Sequence, residues 1–154
     1  MNIFVTGGAG YIGSATAEGL IKAGHSVTVF DSLVTGHQEA VPAGAKFIHA
    51  NLDDGHSLAE ALTSNKFDAI MHFAAFIEAG ESMKDPGKFF RNNFSNSLQL
   101  MEIAVQTGVK KLVFSSTAAV YQSSEEPLTE ESPIGPTNVY WHTKLMTDQA
   151  LEWY

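Results

Sequence analysis

Tyr140 and Lys144 stand four residues apart, so on a helix their side chains share one face. A free tyrosine has a pKa of about 10 and is a poor base at neutral pH. A nearby ammonium favours the phenolate and lowers that value, which makes the pair able to take a proton from an alcohol. Upstream, Ser115-Ser116-Thr117 places three hydroxyls at the end of the apolar run Leu112-Val113-Phe114, with Thr117 suited to hold the alcohol oxygen. Each feature alone has an ordinary meaning. A Tyr-x-x-x-Lys pair is often a core tyrosine beside a solvated lysine, and hydroxyls at a strand end are common turn formers. The combination carries the inference.

The second candidate site is the stretch Thr6-Gly7-Gly8-Ala9-Gly10-Tyr11-Ile12-Gly13-Ser14. Before it runs Asn2-Ile3-Phe4-Val5, apolar and β-branched as a buried parallel strand should be. After it, Ile12, Ala15, Leu20 and Ala23 keep roughly helical spacing, and Gly24 supplies a stop. Glycines at a strand-to-helix turn permit the turn's backbone angles and let a pyrophosphate approach main-chain N–H groups. They also let the helix lie close to the strand. The helix N-terminus adds partial positive charge for the phosphates. Read as Gly8, Gly10, Gly13 the pattern is GxGxxG; read as Gly7, Gly10, Gly13 it is GxxGxxG. A glycine-rich turn that binds nothing is the bland alternative.

The next strand, Ser26 to Phe30, ends in Asp31, about 20 residues on, where a carboxylate takes the adenosine ribose hydroxyls. A carboxylate there repels a 2′-phosphate, and residues 32–37 contain no Arg or Lys to receive one. The expected cofactor is therefore NAD rather than NADP. Asp31 as a mere strand-end or cap residue is common, so its weight comes from its place after the glycines. With a nicotinamide dinucleotide present, Tyr140 would take a hydroxyl proton while hydride leaves the same carbon. Lys144 would also bond the nicotinamide ribose.

Composition narrows the partners. The 154 residues carry a formal charge of −8, which argues against nucleic acid; Lys110-Lys111 is an isolated pair. No apolar run is long enough to span a bilayer, and no secretory signal is visible. The absence of cysteine rules out disulfide and thiolate chemistry and fits a cytoplasmic protein. Six scattered histidines lack metal-ligand spacing, so no metal is expected.

The elements that must position these residues alternate. Strands are expected at 2–6, 26–30, 46–50, 68–73 and 111–115, and helices at about 12–23, 57–64, 86–107 and 138–154. In helix 86–107 the signal is Phe90, Phe94, Leu98, Met101 and Val105 at three- and four-residue steps, ended by Gly108. Residues 123–137, with three prolines and four glutamates, form a loop too long to be a mere connection. Such alternation implies an α/β fold, a Rossmann-like doubly wound parallel sheet of order 3-2-1-4-5, with the ligand crevice at the strands' carboxyl ends. His72-Phe73-Ala74-Ala75 closes the fourth strand with small residues that let a cofactor lie against the backbone; tight packing alone would explain them equally well.

With these residues assembled, the chain resembles the extended short-chain dehydrogenase/reductases, and within them the UDP-glucose/UDP-galactose 4-epimerases. The likeness runs through TGGAGYIGS, VFDSL, HFAAFIEAGES with the following DP and NN, FSSTAAVY, and YWHTK. The glycine motif and YxxxK are common to the superfamily; HFAA…GES and SSTAAVY are more specific. A sugar 4,6-dehydratase would carry Thr-Asp-Glu where this chain has Thr117-Ala118-Ala119. The resemblance implies NAD contacts at Gly7, Gly10, Tyr11, Ile12 and Gly13, at Asp31, Ser32 and Gly36, and at Asn51 and Leu52. It adds Phe73, Ala74, Ala75, Asn92 and Ser115, together with Tyr140 and Lys144. It makes Thr117, Tyr140 and Lys144 the catalytic set.

Asn51 stands where an aspartate usually addresses the adenine, Gln122 replaces a glycine, and Trp141-His142 replace a smaller and often a basic residue. Members run about twice as far, adding strands and a domain that grips a nucleotide-sugar. The 154 residues are accordingly expected to be one NAD-binding domain truncated in the Tyr-x-x-x-Lys helix, lacking the carboxyl-terminal strands and substrate domain. The implied reaction is reversible oxidation at C4 of a UDP-hexose through a 4-keto intermediate. A nucleotide-sugar dehydrogenase or reductase, or a non-catalytic dinucleotide-binding or assembly module, are the alternatives. The implied partners are a nucleotide-sugar and a second copy, meeting through helices 86–107 and 138–154, with Phe94, Leu98 and Trp153 outside the sheet-facing sets.

Overall fold

The computed structural model describes residues 1–154. By internal contacts the chain divides into two compact units. The first comprises Met1–Ala75 and Gln99–Ser115; the second comprises Phe76–Leu98 and Ser116–Tyr154. No helix is long and apolar enough to cross a membrane.

The first unit contains the whole sheet. Strands β1 (Asn2–Thr6), β2 (Ser26–Asp31), β3 (Lys46–His49), β4 (Ala69–His72) and β5 (Leu112–Phe114) are all parallel, in the order β3-β2-β1-β4-β5. That is the Rossmann-like order expected from the alternation of elements. The two-residue period of a strand sends neighbouring side chains to opposite faces. On one face Ile3, Val5, Val27 and Val29 pack with Ala17 of helix α1 (Tyr11–Lys22). On the other, Phe4 and Phe30 pack with Leu58 and Leu62 of α2 (Gly55–Thr63) and with Leu100, Ile103 and Ala104 of α5 (Asn96–Thr107). Phe4 is the hub of that face, with ring centroids 5.5 Å from Phe30 and 5.0 Å from Phe67.

One helix face and one helix start differ from the sequence expectation. In α1 the residues that bury are Gly13 and Ala17, whereas Ile12 is 57 % exposed and Ala15 and Ala23 are exposed. Close helix–sheet packing selects small side chains, so the largest apolar residue of the first turn lies outside. Helix α2 starts at Gly55, two residues earlier than expected, because Asp54 caps it by accepting the Ser57 N–H.

The second unit carries short helices α3 (Ala79–Ser82) and α4 (Pro86–Phe89), then a π-helical segment Phe90–Ser95, which runs on into α5. The expected uniform helix 86–107 is therefore interrupted. A π turn holds i→i+5 bonds, so the apolar phase slips within it. The buried positions are Phe89, Asn93, Ser97, Leu100, Met101, Ile103 and Ala104, while Phe90, Phe94 and Leu98 are half-buried and Val105 is exposed. Helix α6 (Val139–Leu151) starts at Asn138, whose side chain accepts from the Trp141 N–H at 2.9 Å. The loop before it is irregular but for one antiparallel bridge between Tyr121 and Ile134. Gln122, the bulky replacement in this loop, lies over Gly135, where an added Cβ would meet its Cγ at 2.5 Å.

Candidate functional site

In the first unit the turn after β1 is held by its own glycines. Gly7 has φ +74° and lies so close to the β4 end that a Cβ would meet Ala74 N at 2.5 Å. A Cβ on Gly13 would meet Gly7 O at 2.2 Å, and one on Gly8 would meet the Val29 methyls at 2.8 Å. Gly10 is different: its Cβ would meet only Gly7 O, at 3.3 Å, and would otherwise project into open space. Folding of the turn dictates three of the glycines; Gly10 keeps clear the surface above the first turn of α1. That turn has no side-chain cap and no acidic residue, so its leading N–H groups are available to an anion. Tyr11, 92 % exposed, and Ile12 flank it.

Asp31 ends β2 beside this turn and is 8 % exposed. Its Oδ2 accepts the Ala9 N–H at 3.0 Å and its Oδ1 accepts the Leu33 N–H at 2.8 Å. An ionised carboxylate has about four acceptor positions, so two backbone bonds orient it and leave capacity for ribose hydroxyls. The following loop folds back on the glycine turn. Gly36 approaches Ala9 so closely that a Cβ would sit 3.0 Å from its backbone, and the His37 N–H donates to Ala9 O at 3.0 Å. Ser32 accepts at its carbonyl from His49 Nε2 at 3.1 Å. Phe73, Ala74 and Ala75 follow β4, and Ser115 follows β5, its N–H donating to His72 O at 3.1 Å. Asn51 and Leu52 follow β3; Leu52 is buried and its carbonyl accepts from Gln99 at 2.6 Å. These residues gather at the carboxyl ends of the strands. The uncapped turn cleared by Gly10 and the oriented acceptor Asp31 suit a diphosphate joined to a ribose, so this set fits NAD.

One contact here has no counterpart among the sequence signals. Thr6 Oγ1 and His72 Nδ1 share a buried hydrogen bond of 2.6 Å across the register pair that closes β1 and β4.

The second unit carries Asn92, Thr117, Tyr140 and Lys144. Thr117 caps a 3-10 turn (Ala118–Val120), accepting the Ala119 N–H at 3.2 Å, which leaves its hydroxyl proton to donate. Tyr140 and Lys144 occupy successive turns of α6. The ordinary reading of Lys144 as a solvated side chain fails: it is 4 % exposed. Burial pulls its ammonium from 10.5 down to about 8, and the Asp148 carboxylate opposes the fall. Burial pushes the Tyr140 phenol above its ordinary value, because desolvation penalises the phenolate, opposite to the lowering that a neighbouring ammonium would bring. His142 is exposed and meets Phe90 edge-on at 6.3 Å; Trp141 is half-buried.

Two further polar residues fix this helix, and neither is marked by a local sequence signal. Ser82, in the GES stretch, is fully buried and its Oγ accepts the Tyr140 N–H at 3.1 Å, satisfying a donor that the helix start leaves open. Asn93 uses its whole amide. It accepts from Phe76 N at 2.8 Å and from Asn92 Nδ2 at 2.9 Å, and donates to Phe76 O at 2.9 Å and Thr143 Oγ1 at 3.2 Å. Thr143 donates in turn to the Tyr140 carbonyl at 2.6 Å. Buried polar groups satisfied this fully specify one arrangement.

A glycine-rich turn on a parallel 3-2-1-4-5 sheet, with Tyr-x-x-x-Lys on a later helix, marks a dinucleotide-binding, Rossmann-like α/β protein. Residues 3–154 match the model of the NAD dependent epimerase/dehydratase family, and the chain belongs to that family. It is 46 % identical over 154 residues to the UDP-glucose 4-epimerase of Lacticaseibacillus casei, a match covering 99 % of this chain and 46 % of that one. The crystal structure of UDP-glucose 4-epimerase from Brucella ovis in complex with NAD superposes with a TM-score of 0.96 at 38 % identity, over 99 % of this chain and 47 % of that one. The Stenotrophomonas maltophila enzyme with bound NAD and formylated UDP-arabinopyranose gives 0.94 at 36 %, over 99 % and 48 %. The chain thus spans about half the length of these relatives.

Proposed function

We propose that residues 1–154 form the NAD-binding domain of a nucleotide-sugar 4-epimerase acting on a UDP-hexose. The observation that carries the reading is Gly10, the one glycine of the turn that packing does not demand, set over an uncapped helix start beside Asp31. In the proposed roles the backbone of Gly10 to Gly13 holds the diphosphate and Asp31 takes the ribose hydroxyls, with Ser32, Gly36, Asn51, Leu52, Phe73 to Ala75, Asn92 and Ser115 lining the rest. When bound, NAD supplies a reversible hydride acceptor and, oxidised, a cationic ring. Thr117 donates to the sugar's C4 oxygen, Tyr140 takes its proton and later returns it, and Lys144 bonds the ribose. Burial raises the Tyr140 phenol, and the Lys144 ammonium together with the cationic ring of bound NAD would favour its phenolate. Likeness to relatives named as UDP-glucose 4-epimerases supports the epimerase over a dehydrogenase with net redox.

Calorimetry tests the reading. NAD should bind at least about tenfold more tightly than NADP, a difference of about 1.4 kcal/mol, and Asp31→Ala should weaken NAD and narrow the gap. Equal or tighter NADP binding would exclude the assigned role of Asp31. We also propose a homodimer through helices α4 to α6, supported by Trp153, which is 89 % exposed, and by half-buried Phe94 and Leu98. Light scattering on the same sample that finds a monomer excludes it. The setting proposed is cytoplasmic, tested by fractionating the producing cells; recovery with the membranes would count against it.

A further inference from the structure

We propose that Asp148 is a positioning residue for the Thr117–Tyr140–Lys144 set: it fixes the Thr117 turn through Ser116 and sets its carboxylate one helical turn from Lys144, on the face that Tyr140 shares. The proposal rests on the reading of those three residues as the catalytic set.

The geometry lies within the second unit. Ser116 Oγ donates to Asp148 Oδ2 across 32 residues of sequence. Ser116 precedes Thr117, whose own oxygen caps the next turn, so the serine bond pins Thr117 between two anchors. On α6, Tyr140, Lys144 and Asp148 follow at steps of four and lie along one face. A buried ammonium is costly unless a counter-charge faces it. Lys144 is 4 % exposed, and the charge that favours its protonated form is Asp148.

The other charged groups on elements packed against α6 are turned to other work. On α3 and α4, Glu81 and Lys88 pair with each other at 2.6 Å on the exposed side. Asp85, Arg91 and His142 are exposed, and the 3-10 turn after Thr117 carries no charge. Burial, with a smaller push from Glu152 just past the end of α6, holds the Asp148 carboxyl above its ordinary value, and the Ser116 bond and then Lys144 oppose that rise. Ser116 therefore does two things with one bond: it ties down the loop and it favours the ionised carboxylate that Lys144 requires.

The test follows the Lys144 Cε resonance through a pH titration without cofactor, assigned by comparison with Lys144→Met, and then turnover in the catalytically complete protein. Asp148→Asn removes the charge that favours the ammonium, so the Lys144 midpoint should fall by about one unit or more. Ser116→Ala should lower it less, and Asp148→Glu should restore most of it. Turnover should follow the same order, falling mainly in kcat with KM little changed. An unchanged Lys144 midpoint in Asp148→Asn would overturn the proposal. If that variant does not fold, wild-type behaviour in Ser116→Ala would do the same. A wild-type chain that bound no NAD would overturn the assignment of the site, while the cofactor-free titration would still decide the coupling.

Discussion

Tyr140→Phe should reduce interconversion of a UDP-hexose by about 10²- to 10⁴-fold, the usual weight of a general acid–base group, while NAD affinity stays essentially unchanged. The substitution keeps the ring and removes only the phenolic oxygen. The two bonds that hold this turn of α6 use Tyr140's backbone: its N–H donates to Ser82 and its carbonyl accepts from Thr143. The helix should therefore stay where it is, and Lys144 with it. Steady-state turnover of the catalytically complete protein beside NAD calorimetry separates the two effects. A fall of less than about tenfold would give the proton to another group. A parallel loss of NAD binding would mean that the phenol holds cofactor rather than moves protons.

Gly13→Ala should unfold or badly loosen the nucleotide turn, although alanine is the better helix former by about 1 kcal/mol. The added methyl would lie 2.2 Å from Gly7 O, 2.8 Å from Gly7 C and 2.9 Å from Gly8 Cα. All three are backbone atoms of the turn, so no side chain can swing aside. Overpacking of this kind costs about 1–3 kcal/mol, occasionally more, and relieving it must part the helix from the turn. The same helix and its N-cap supply two controls. At Gly19 nothing lies within 4 Å, and Gly19→Ala should raise stability by up to about 1 kcal/mol. At Gly10 the fold should tolerate a methyl that meets only Gly7 O at 3.3 Å, yet NAD binding should suffer. Denaturant midpoints and calorimetry on the three variants read this out. Equal loss of stability at Gly10 and Gly13 would contradict the division between a glycine kept for packing and one kept for ligand.

The strands are the most legible part of the sequence. Runs such as Ile3-Phe4-Val5 and Val27-Thr28-Val29-Phe30 are short, apolar and bounded by turn residues, and all five strands lie within a residue or two of their expected limits. Asp31 is legible because its meaning comes from distance along the chain. Helix faces are less so. Hydrophobicity points to Ile12 and Ala23 in α1, but the surface pressed to the sheet is the one that can approach closest, that of Gly13 and Ala17. Across 86–107 no single period fits both flanks, because the π turn shifts the phase. The burial of Ser82, Asn93 and Lys144 escapes the sequence for one shared reason. Polar types read as solvated, and burial of a polar group depends on partners remote along the chain. Thr143 lies 50 residues from Asn93, and no local pattern announces such a pairing.

The Asn93 clamp also sets a kinetic property of the backbone. Phe76 belongs to no helix or strand, and a loop amide ordinarily exchanges its hydrogen with deuterated solvent almost as fast as an unfolded chain does. Here that hydrogen is held by Asn93 Oδ1 at 2.8 Å in a part-buried position, with the Phe76 carbonyl bound by the same amide. Local openings that leave the clamp intact cannot release it. The Phe76 amide should thus exchange on the timescale of ordered structure while Ile77 and Glu78 beside it exchange quickly, and Asn93→Ala should bring it up to their rate.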